Sequence, residues 1–421
     1  MLDEARYLAT FTPLLGNDPS KTAVKTYGEV YTPLSLVEEM LDQLPSSIWS
    51  DPSKQWLEPA CGLAPFLFCA YRRLMKGLAE TFTDPEDRAR HILETMFTFQ
   101  ELQPKNVTLL RSLFTPYTLN LLEGDYLLTT LPQKYHVITG NPPYQRNGSA
   151  STGNTIWDLF VRKVLTTDLA PSGYLLFIHP PMWRKPDSAK SKNAGLFKLM
   201  AQEHHMRRLV LASPEQGKAT FGCQTRYDWY CLQEGSKGST SLRSYSGVES
   251  IVDLAEWSWL PNDKFQEIRR LLLDKDQEPC PVIFDRSAYA TDKGWTCDEE
   301  DASHPYPVIR TTNKSGIRYM YSSCNDRGHY GVKKVVFGDG GSISNVVIDM
   351  EGQYGLSEHA IGIRVESEEE ASAVKKALLS PFFTSILDSC IWSTRQIDWR
   401  LFASFRRDWY LRLPRISIRF A

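Results

Sequence analysis

The 421-residue chain has little of what marks several specialised classes of protein. Its eight cysteines are scattered and form no close Cys-x-x-Cys pair, so the sequence indicates neither a disulfide framework nor a zinc site. No signal peptide, no apolar run of membrane-spanning length and no low-complexity block is visible. We therefore expect an intracellular, cytoplasmic protein with no metal and no membrane contact.

An excess of charge of either sign is also absent. The chain carries 48 basic and 50 acidic residues, a net charge of −2, so overall charge names no partner. A DNA-binding protein can still be near neutral when its cations are clustered, because affinity depends on local phosphate contacts. Two clusters fit this description, and each can equally be solvated surface. They are Arg184, Lys185, Lys190, Lys192 and Lys198, and the seven arginines of 395–421 with Trp392, Trp399, Phe402, Phe405, Trp409 and Tyr410.

The length suggests two or three domains. Up to residue 232, strand-like apolar runs alternate with helical patterns, which predicts a doubly wound α/β sheet with helices on both faces and a final antiparallel hairpin. A Gly/Ser-rich passage at 234–247 indicates a linker. Beyond it, short strand-like runs and a helical signal at 368–379 predict an α+β region. We therefore expect domains at 1–240 and 241–421.

The segment Asn141-Pro142-Pro143-Tyr144 follows a β-prone run that ends at Gly140. Open α/β sheets hold their ligands at the carboxyl ends of strands, and the two prolines offer carbonyl oxygens without competing N–H donors. The side-chain oxygen of Asn141 and the Pro142 carbonyl can accept both hydrogens of an exocyclic amine, while Tyr144 stacks on the ring that carries it. The segment therefore predicts a site for an amino group on a flat base. The alternative is that it is an Asn-Pro-Pro turn unrelated to any such site.

This motif resembles that of the amino-group methyltransferases that use S-adenosylmethionine (AdoMet), and in particular the gamma-class adenine-N6 DNA methyltransferases. The segment from Gln55 to Phe66 is similar to the family's AdoMet loop, a strand that ends in an acid and turns into a helix whose amino terminus can face a carboxylate. The resemblance assigns cofactor contacts to Glu58, Pro59, Ala60, Cys61 and Gly62. The family has glycine where this chain has Ala64, so either the turn is reached at ordinary φ or cofactor affinity is reduced.

Four further residues complete the predicted site. Glu101 ends an apolar run at the position where a nucleotide-binding fold offers a carboxylate to ribose hydroxyls. The resemblance assigns Asp125 to the amino group of the cofactor's adenine, and Phe221 to the second face of the flipped base, where a hinge residue packed under the loop is the alternative. Thr32, before Pro33, is similar to a family helix start packed over the cofactor, and a simple helix cap explains it equally well. Asn141 is expected to contact the cofactor as well.

The resemblance implies a class I, Rossmann-like methyltransferase domain followed by a target-recognition domain. The expected reaction is transfer of a methyl group from AdoMet to N6 of an adenine flipped out of double-stranded DNA, with no metal and no covalent intermediate. Four alternatives remain: cytosine-N4 methylation, RNA methylation, glutamine methylation in a protein, and a decayed methyltransferase that only binds DNA. We expect a monomer on DNA, with any restriction endonuclease as a separate chain.

Overall fold

The computed structural model describes residues 4–14, 31–146, 154–188, 191–393 and 396–414. It divides the chain into two compact units, Met1–Ser258 and Trp259–Ala421. The division falls later than the predicted 240/241, because Thr240–Arg243 and Glu249–Val252 are strands of the first unit's sheet. The predicted linker at 234–247 therefore contains a four-residue strand of this sheet, Thr240–Arg243. None of the helices in the described ranges is long and apolar enough to span a membrane.

The first unit is built on a sheet whose described part has nine strands. They are β1 (Trp56–Pro59), β2 (Phe97–Glu101), β3 (Asn120–Glu123), β4 (Tyr135–Gly140), β5 (Leu169–His179), β6 (His205–Ala212), β7 (Tyr227–Gln233), β8 (Thr240–Arg243) and β9 (Glu249–Val252). Their spatial order is β3-β2-β1-β4-β5-β7-β6-β8-β9. The pairs from β3 to β5 are parallel, whereas β7 runs antiparallel to both of its neighbours. The predicted doubly wound sheet with its antiparallel hairpin is confirmed.

The order of the strands alone indicates where a ligand binds. From β1 the chain proceeds to β2 and β3 on one side, and then returns to add β4 on the other side of β1. In open α/β sheets the crevice at such a reversal, outside the carboxyl ends of the strands, is where ligands bind. The segments that follow β1 and β4 are the two that the sequence selected.

Helices flank this sheet. The described ones are α1 (Glu4–Phe11), α2 (Leu34–Leu41), α3 (Pro65–Gly77), α4 (Pro85–His91), α5 (Pro104–Leu113), α6 (Trp157–Lys163), α7 (Leu196–Ala201) and α8 (Pro214–Phe221). Trp229 and Cys231 of β7 belong to a buried cluster with Val37 of α2. Tyr230 and Leu232 point to the opposite face and are also fully buried. Both faces of the sheet are therefore covered, as expected when the strands are apolar throughout.

The second unit contains two sheets of four strands within the described ranges. Its strands are β10 (Val282–Ile283), β11 (Thr296–Cys297), β12 (Tyr306–Asn313), β13 (Gly316–Ser322), β14 (Lys334–Gly338), β15 (Val347–Asp349), β16 (Gly355–Leu356) and β17 (Ala360–Arg364). The sheet orders are β10-β17-β14-β15 and β11-β13-β12-β16. The helices are α9 (Phe265–Arg269), α10 (Glu368–Leu378), α11 (Pro381–Asp388) and α12 (Trp399–Ala403). This mixed arrangement agrees with the α+β prediction.

Four of the six aromatic residues of the carboxyl-terminal cluster are buried, namely Trp392, Phe402, Phe405 and Trp409. Phe402, Phe405 and Trp409 have no exposed surface, and Phe383 of α11 packs on Trp409 with ring centroids 4.6 Å apart. Neighbouring arginines are paired with acids, as in Arg400–Asp398 at 2.6 Å and Arg407–Glu366 at 2.5 Å. The described part of this cluster is thus packing and ion pairs, which corrects its interpretation as a grip for phosphates and unstacked bases. Residues 394, 395 and 415–421 lie outside the described residues.

Candidate active site

Two adjoining cavities lie at the carboxyl ends of β1, β2 and β4. The first is lined by Tyr31, Thr32, Glu58, Ala60, Cys61, Gly62, Pro65, Phe66, Glu101, Leu102, Gln103, Asn106, Asn141 and Pro143. The second, of about 440 Å³, is lined by Ala60, Gln100, Leu102, Gly124, Asp125, Tyr126, Leu127, Leu128, Pro143, Arg146, Ile156 and Phe160. Ala60, Leu102 and Pro143 border both. The fold thus brings most of the predicted site residues to one edge of the sheet.

The loop after β1 turns three times through the left-handed region. Ala60, Gly62 and Ala64 have φ values of +62°, +57° and +56°. The turn at Ala64 is therefore not reached at ordinary φ, and two of the three positions carry a methyl group that this conformation disfavours. Hydrogen bonds hold the loop nonetheless, from Cys61 N to the Gln100 carbonyl at 2.8 Å and from Ala64 N to the Cys61 carbonyl at 2.7 Å. The local strain is offset by these contacts and by burial.

Two carboxylates organise the same loop from opposite ends. Glu58, almost fully buried at the end of β1, accepts a hydrogen bond of 3.0 Å from Leu67 N in the first turn of α3. Burial raises the pKa of Glu58 well above its ordinary value, and the nearby charge of Glu101 acts in the same direction. Glu101 accepts hydrogen bonds from Gly62 N at 2.8 Å and from Gln103 N at 2.7 Å. Both carboxyl groups lie beside the first cavity.

Thr32 and Asn141 both line the first cavity and are in contact with each other. The Asn141 amide donates through Nδ2 to Oγ1 of Thr32 at 3.2 Å, and the Thr32 side chain is buried. Helix α2 has Pro33 as its cap residue and no side-chain cap hydrogen bond, so the helix-cap explanation of Thr32 is wrong. Because the amide nitrogen faces Thr32, the amide oxygen is fixed as the acceptor end of the side chain.

The rest of the motif is divided between the cavity and the interior. Pro143 borders both cavities, whereas Pro142 is buried. The Tyr144 hydroxyl is buried without a hydrogen-bond partner in the described part of the chain. Burial raises the pKa of Tyr144, with smaller contributions from Tyr227, Cys223 and Asp228. The ring is thus directed inward with its polar end among the residues of β7 and the connection before it.

Phe221 is the last residue of α8, in the connection between β6 and β7 where the resemblance places the second aromatic. Its half-buried ring packs edge-on against Tyr227, with centroids 5.0 Å apart, and against the core on that face of the sheet. Phe221 lines neither cavity, and the same holds for Pro59, Pro142 and Tyr144. A role of Phe221 in stacking stays a prediction.

Asp125 lines the second cavity and begins a short turn that is held from behind. The Asp125 carboxylate accepts from Leu127 N at 2.9 Å. Lys163 of α6 donates to the carbonyls of Tyr126 and Thr129 at 2.7 and 2.6 Å. The Tyr126 hydroxyl donates to buried Asp168 at 2.5 Å, and the Lys163 ammonium lies 4.0 Å from the centroid of the Tyr126 ring. These contacts fix the cavity wall on which Asp125 sits.

Sequence reasoning missed several lining residues. Leu102 and Leu128 are large apolar side chains with 49% and 85% of their surface exposed, and both border the second cavity. Tyr31, Gln103 and Asn106 line the first. Leu102 and Gln103 directly follow the strand-end acid Glu101, a position that could have identified them. Apolar rims beside carboxylates suit a ligand with a flat ring at one end and polar groups at the other.

One residue of the first basic cluster is excluded from a surface role. Arg184 is fully buried and donates to both oxygens of buried Asp228, through Nε at 2.7 Å and an Nη at 3.0 Å. Trp183 Nε1 donates to the same carboxylate at 2.8 Å. The prediction that Arg184 contacts phosphates is therefore wrong, since its charge is used to satisfy Asp228 inside the protein. Lys190 lies outside the described residues.

The sheet order, with its switch point beside the acidic loop of β1 and the motif after β4, defines a class I AdoMet-dependent methyltransferase fold. Residues 74–216 match the model of the Eco57I restriction-modification methylase family. An uncharacterized adenine-specific methylase of Mycoplasma pneumoniae is 25% identical over an alignment that covers 37% of this chain and 55% of that protein. These matches confirm the resemblance to adenine methylases of restriction-modification systems. This chain spans about half the length of that relative.

Solved structures match this chain at low identity and with TM-scores below 0.5. The M protein of the type I restriction enzyme EcoKI is 16% identical, with a TM-score of 0.40 over 51% of this chain and 47% of that one. A modification subunit of a putative type I restriction enzyme from Vibrio vulnificus is 15% identical, with a TM-score of 0.39 over 51% and 47%. The DrdV–DNA complex is 11% identical, with a TM-score of 0.49 over 98% of this chain and 59% of that one.

Proposed function

We propose that this protein transfers a methyl group from AdoMet to the N6 amino group of an adenine in double-stranded DNA. The observation that carries the proposal is the meeting of Asn141 with the acidic loop at the switch point of the sheet. Thr32 holds the Asn141 amide at 3.2 Å, and Asn141 and Glu101 line one cavity. The family match and the adenine-specific relative support adenine as the base.

The lining of the two cavities fits the cofactor. Gly62, at φ +57°, removes a side chain where the loop faces the first cavity, and Glu101 offers carboxylate oxygens there. The second cavity combines Asp125 with the exposed apolar surfaces of Leu102 and Leu128. In the proposal Glu101 holds ribose hydroxyls, Asp125 holds the adenine amine, and the loop residues Glu58 to Gly62 with Thr32 hold the amino-acid end. AdoMet supplies an electrophilic methyl group when bound.

The chain's own residues then have to present a weak nucleophile. The N6 lone pair of adenine is delocalised into the ring, and flipping the base out of the duplex costs roughly a few kcal/mol. Stacking on Tyr144 and Phe221 returns on the order of 1 to 3 kcal/mol per base. The Asn141 side-chain oxygen and the Pro142 carbonyl accept the two amine hydrogens, which orients the lone pair and stabilises the positive charge that develops on nitrogen. The methylated nitrogen carries a positive charge and becomes neutral again by releasing one of its two amine protons to water.

The deciding experiment is transfer of labelled methyl from AdoMet to unmodified genomic DNA, followed by mass spectrometry of the nucleosides. N6-methyladenine supports the proposal, and N4-methylcytosine keeps the chemistry but changes the base. Label in RNA or protein in place of DNA overturns the substrate. Absence of S-adenosylhomocysteine binding by calorimetry would support a decayed enzyme, for which the strained Ala64 at φ +56° is the motivating observation. The monomeric state and a separate endonuclease stay part of the proposal, to be checked by light scattering with and without DNA.

A further inference from the structure

The β12–β13 hairpin of the second unit has an open tip. Asn313 pairs with Gly316, so Lys314 and Ser315 form the turn between the strands. Ile317, Arg318 and Tyr319 follow, and all three are exposed. Because successive side chains of a strand point to opposite faces, three exposed neighbours mean that both faces of the hairpin are open near its tip.

The stem of the same hairpin is firmly held. Val308 and Met320 pair across the two strands and are buried. The Thr312 hydroxyl donates to the Ser344 carbonyl at 2.8 Å and accepts from Gly338 N at 2.9 Å. A register shift between Ile309 and Thr311 adds a residue to β12, and such bulges increase the local twist. The hairpin is therefore a rigid, twisted ribbon with an accessible end.

The charge of this ribbon differs from that of the chain as a whole. The chain has 50 acidic residues, yet the stretch 302–325 contains none, while it carries Arg310, Lys314 and Arg318. Arg310, at the bulge of β12, pairs with Asp298 at 2.9 Å. For Lys314 and Arg318, the structure records no ion pair within the described ranges. The cations at the tip thus differ from the paired arginines of the carboxyl-terminal cluster.

We propose that the tip of the β12–β13 hairpin, residues 314–319, contacts the double-stranded DNA on which the enzyme acts. This inference rests on the proposed function and names the surface that binds the substrate. The major groove admits a two-stranded β-ribbon, and Lys and Arg side chains pair with phosphates or with the acceptor edge of guanine. Ile317 and Tyr319, each more than a third exposed, add apolar surface for base or sugar contacts beside these cations.

The test is a charge-matched pair of double variants in the full chain. Lys314→Ala with Arg318→Ala removes two cations from the tip, and Lys375→Ala with Lys376→Ala removes two from helix α10 of the same unit. Affinity for a fluorescein-labelled random 40-base-pair duplex is measured by anisotropy across a salt series. We expect the tip variant to bind at least tenfold more weakly, with a slope of log K against log salt that is smaller by about two, because two phosphate contacts are lost.

Methyl transfer to genomic DNA and calorimetry with S-adenosylhomocysteine are measured on the same proteins. A weakened tip variant with unchanged cofactor binding, beside a control that binds DNA like the parent, supports the inference even if no methyl group reaches DNA. Parent-like DNA affinity of the tip variant overturns it, and methylation by the parent chain would then leave the proposed function standing. A parent chain that does not bind DNA overturns both.

Discussion

In the first unit, Glu101 and Asn141 were selected by motif. They line one cavity at the carboxyl ends of β2 and β4, the two strands that flank β1. In the second unit, arginines selected by local composition, such as Arg400 and Arg407, pair with carboxylates close to them. The residues of such a motif stand at the ends of particular strands. Because the sheet fixes where those strand ends lie, the motif residues come together in space. A run of charged residues does not determine where its side chains lie in the folded protein. Its cations can therefore form ion pairs within the protein.

The largest effect is expected at Asn141, a residue of the first unit that was selected by its motif. Asn141→Ala should lower the turnover rate by at least about a thousandfold, or roughly 4 kcal/mol, because the main acceptor of the amine is lost. Affinity for S-adenosylhomocysteine should stay within a fewfold of the parent value, as measured by calorimetry. Thr32→Val, which removes only the partner of the amide at 3.2 Å, should have a smaller effect on turnover. Loss of cofactor binding with Asn141→Ala would contradict the assigned role.

Buried and exposed arginines should differ sharply in their effect on stability. Asp228→Ala leaves fully buried Arg184 without its partner and should cost about 3–5 kcal/mol of unfolding free energy. Glu366→Ala removes the partner of Arg407 where both side chains are partly exposed, and should cost no more than about 1 kcal/mol. Denaturant titration of both variants gives the two values. Equal losses would mean that the two units use their arginines alike.

Lowering the pH should reduce the free energy of unfolding through His179, a second buried group of the first unit. Burial lowers the pKa of His179 to about 3, with a further contribution from the charge of Arg184. A lowered histidine pKa stabilises the fold fully above the unfolded value near 6.5 and loses this contribution as pH falls toward 3, so about 2 kcal/mol should be lost at pH 5. His179→Gln should reduce the change in unfolding free energy between pH 7 and 5 by this amount. The half-buried His205→Gln is the control, and an unreduced pH dependence of His179→Gln would refute the prediction.

The smallest effect concerns the strained loop after β1. Ala64→Gly should raise the unfolding free energy by about 1 kcal/mol, because glycine adopts φ +56° without the steric cost that alanine carries. Ala70→Gly, inside helix α3, should lower it by at least about 1 kcal/mol. Thermal unfolding of the two variants shows the opposite signs. A destabilised Ala64→Gly protein would mean that the methyl group's packing outweighs the strain.

Much of the site could be predicted because the carboxyl ends of parallel strands all lie at the same edge of the sheet. The residues after β1, β2 and β4 had to lie at one edge once the strands were recognised, and Glu58, Glu101 and Asn141 do line one cavity. The domain boundary could not be predicted from composition, because the Gly/Ser-rich passage contains β8, a strand whose pairing with β6 is set by distant residues. The contact between the Thr32 hydroxyl and Asn141 could not be predicted for a similar reason, since the two residues are remote in sequence.

The sequence by itself determined most of the strands of the first unit up to residue 232, the residues at their ends and the resemblance to adenine methylases, because hydrophobic periodicity and turn residues act locally. Only the tertiary structure decided which polar groups face the cavities and which are buried or paired in the interior. Arg184 is paired with Asp228, the Tyr144 hydroxyl is turned inward, and the cations of the β12–β13 tip stay exposed. Each outcome depends on which groups the folded chain brings within a few ångströms, since a buried charge needs a partner and an exposed one does not.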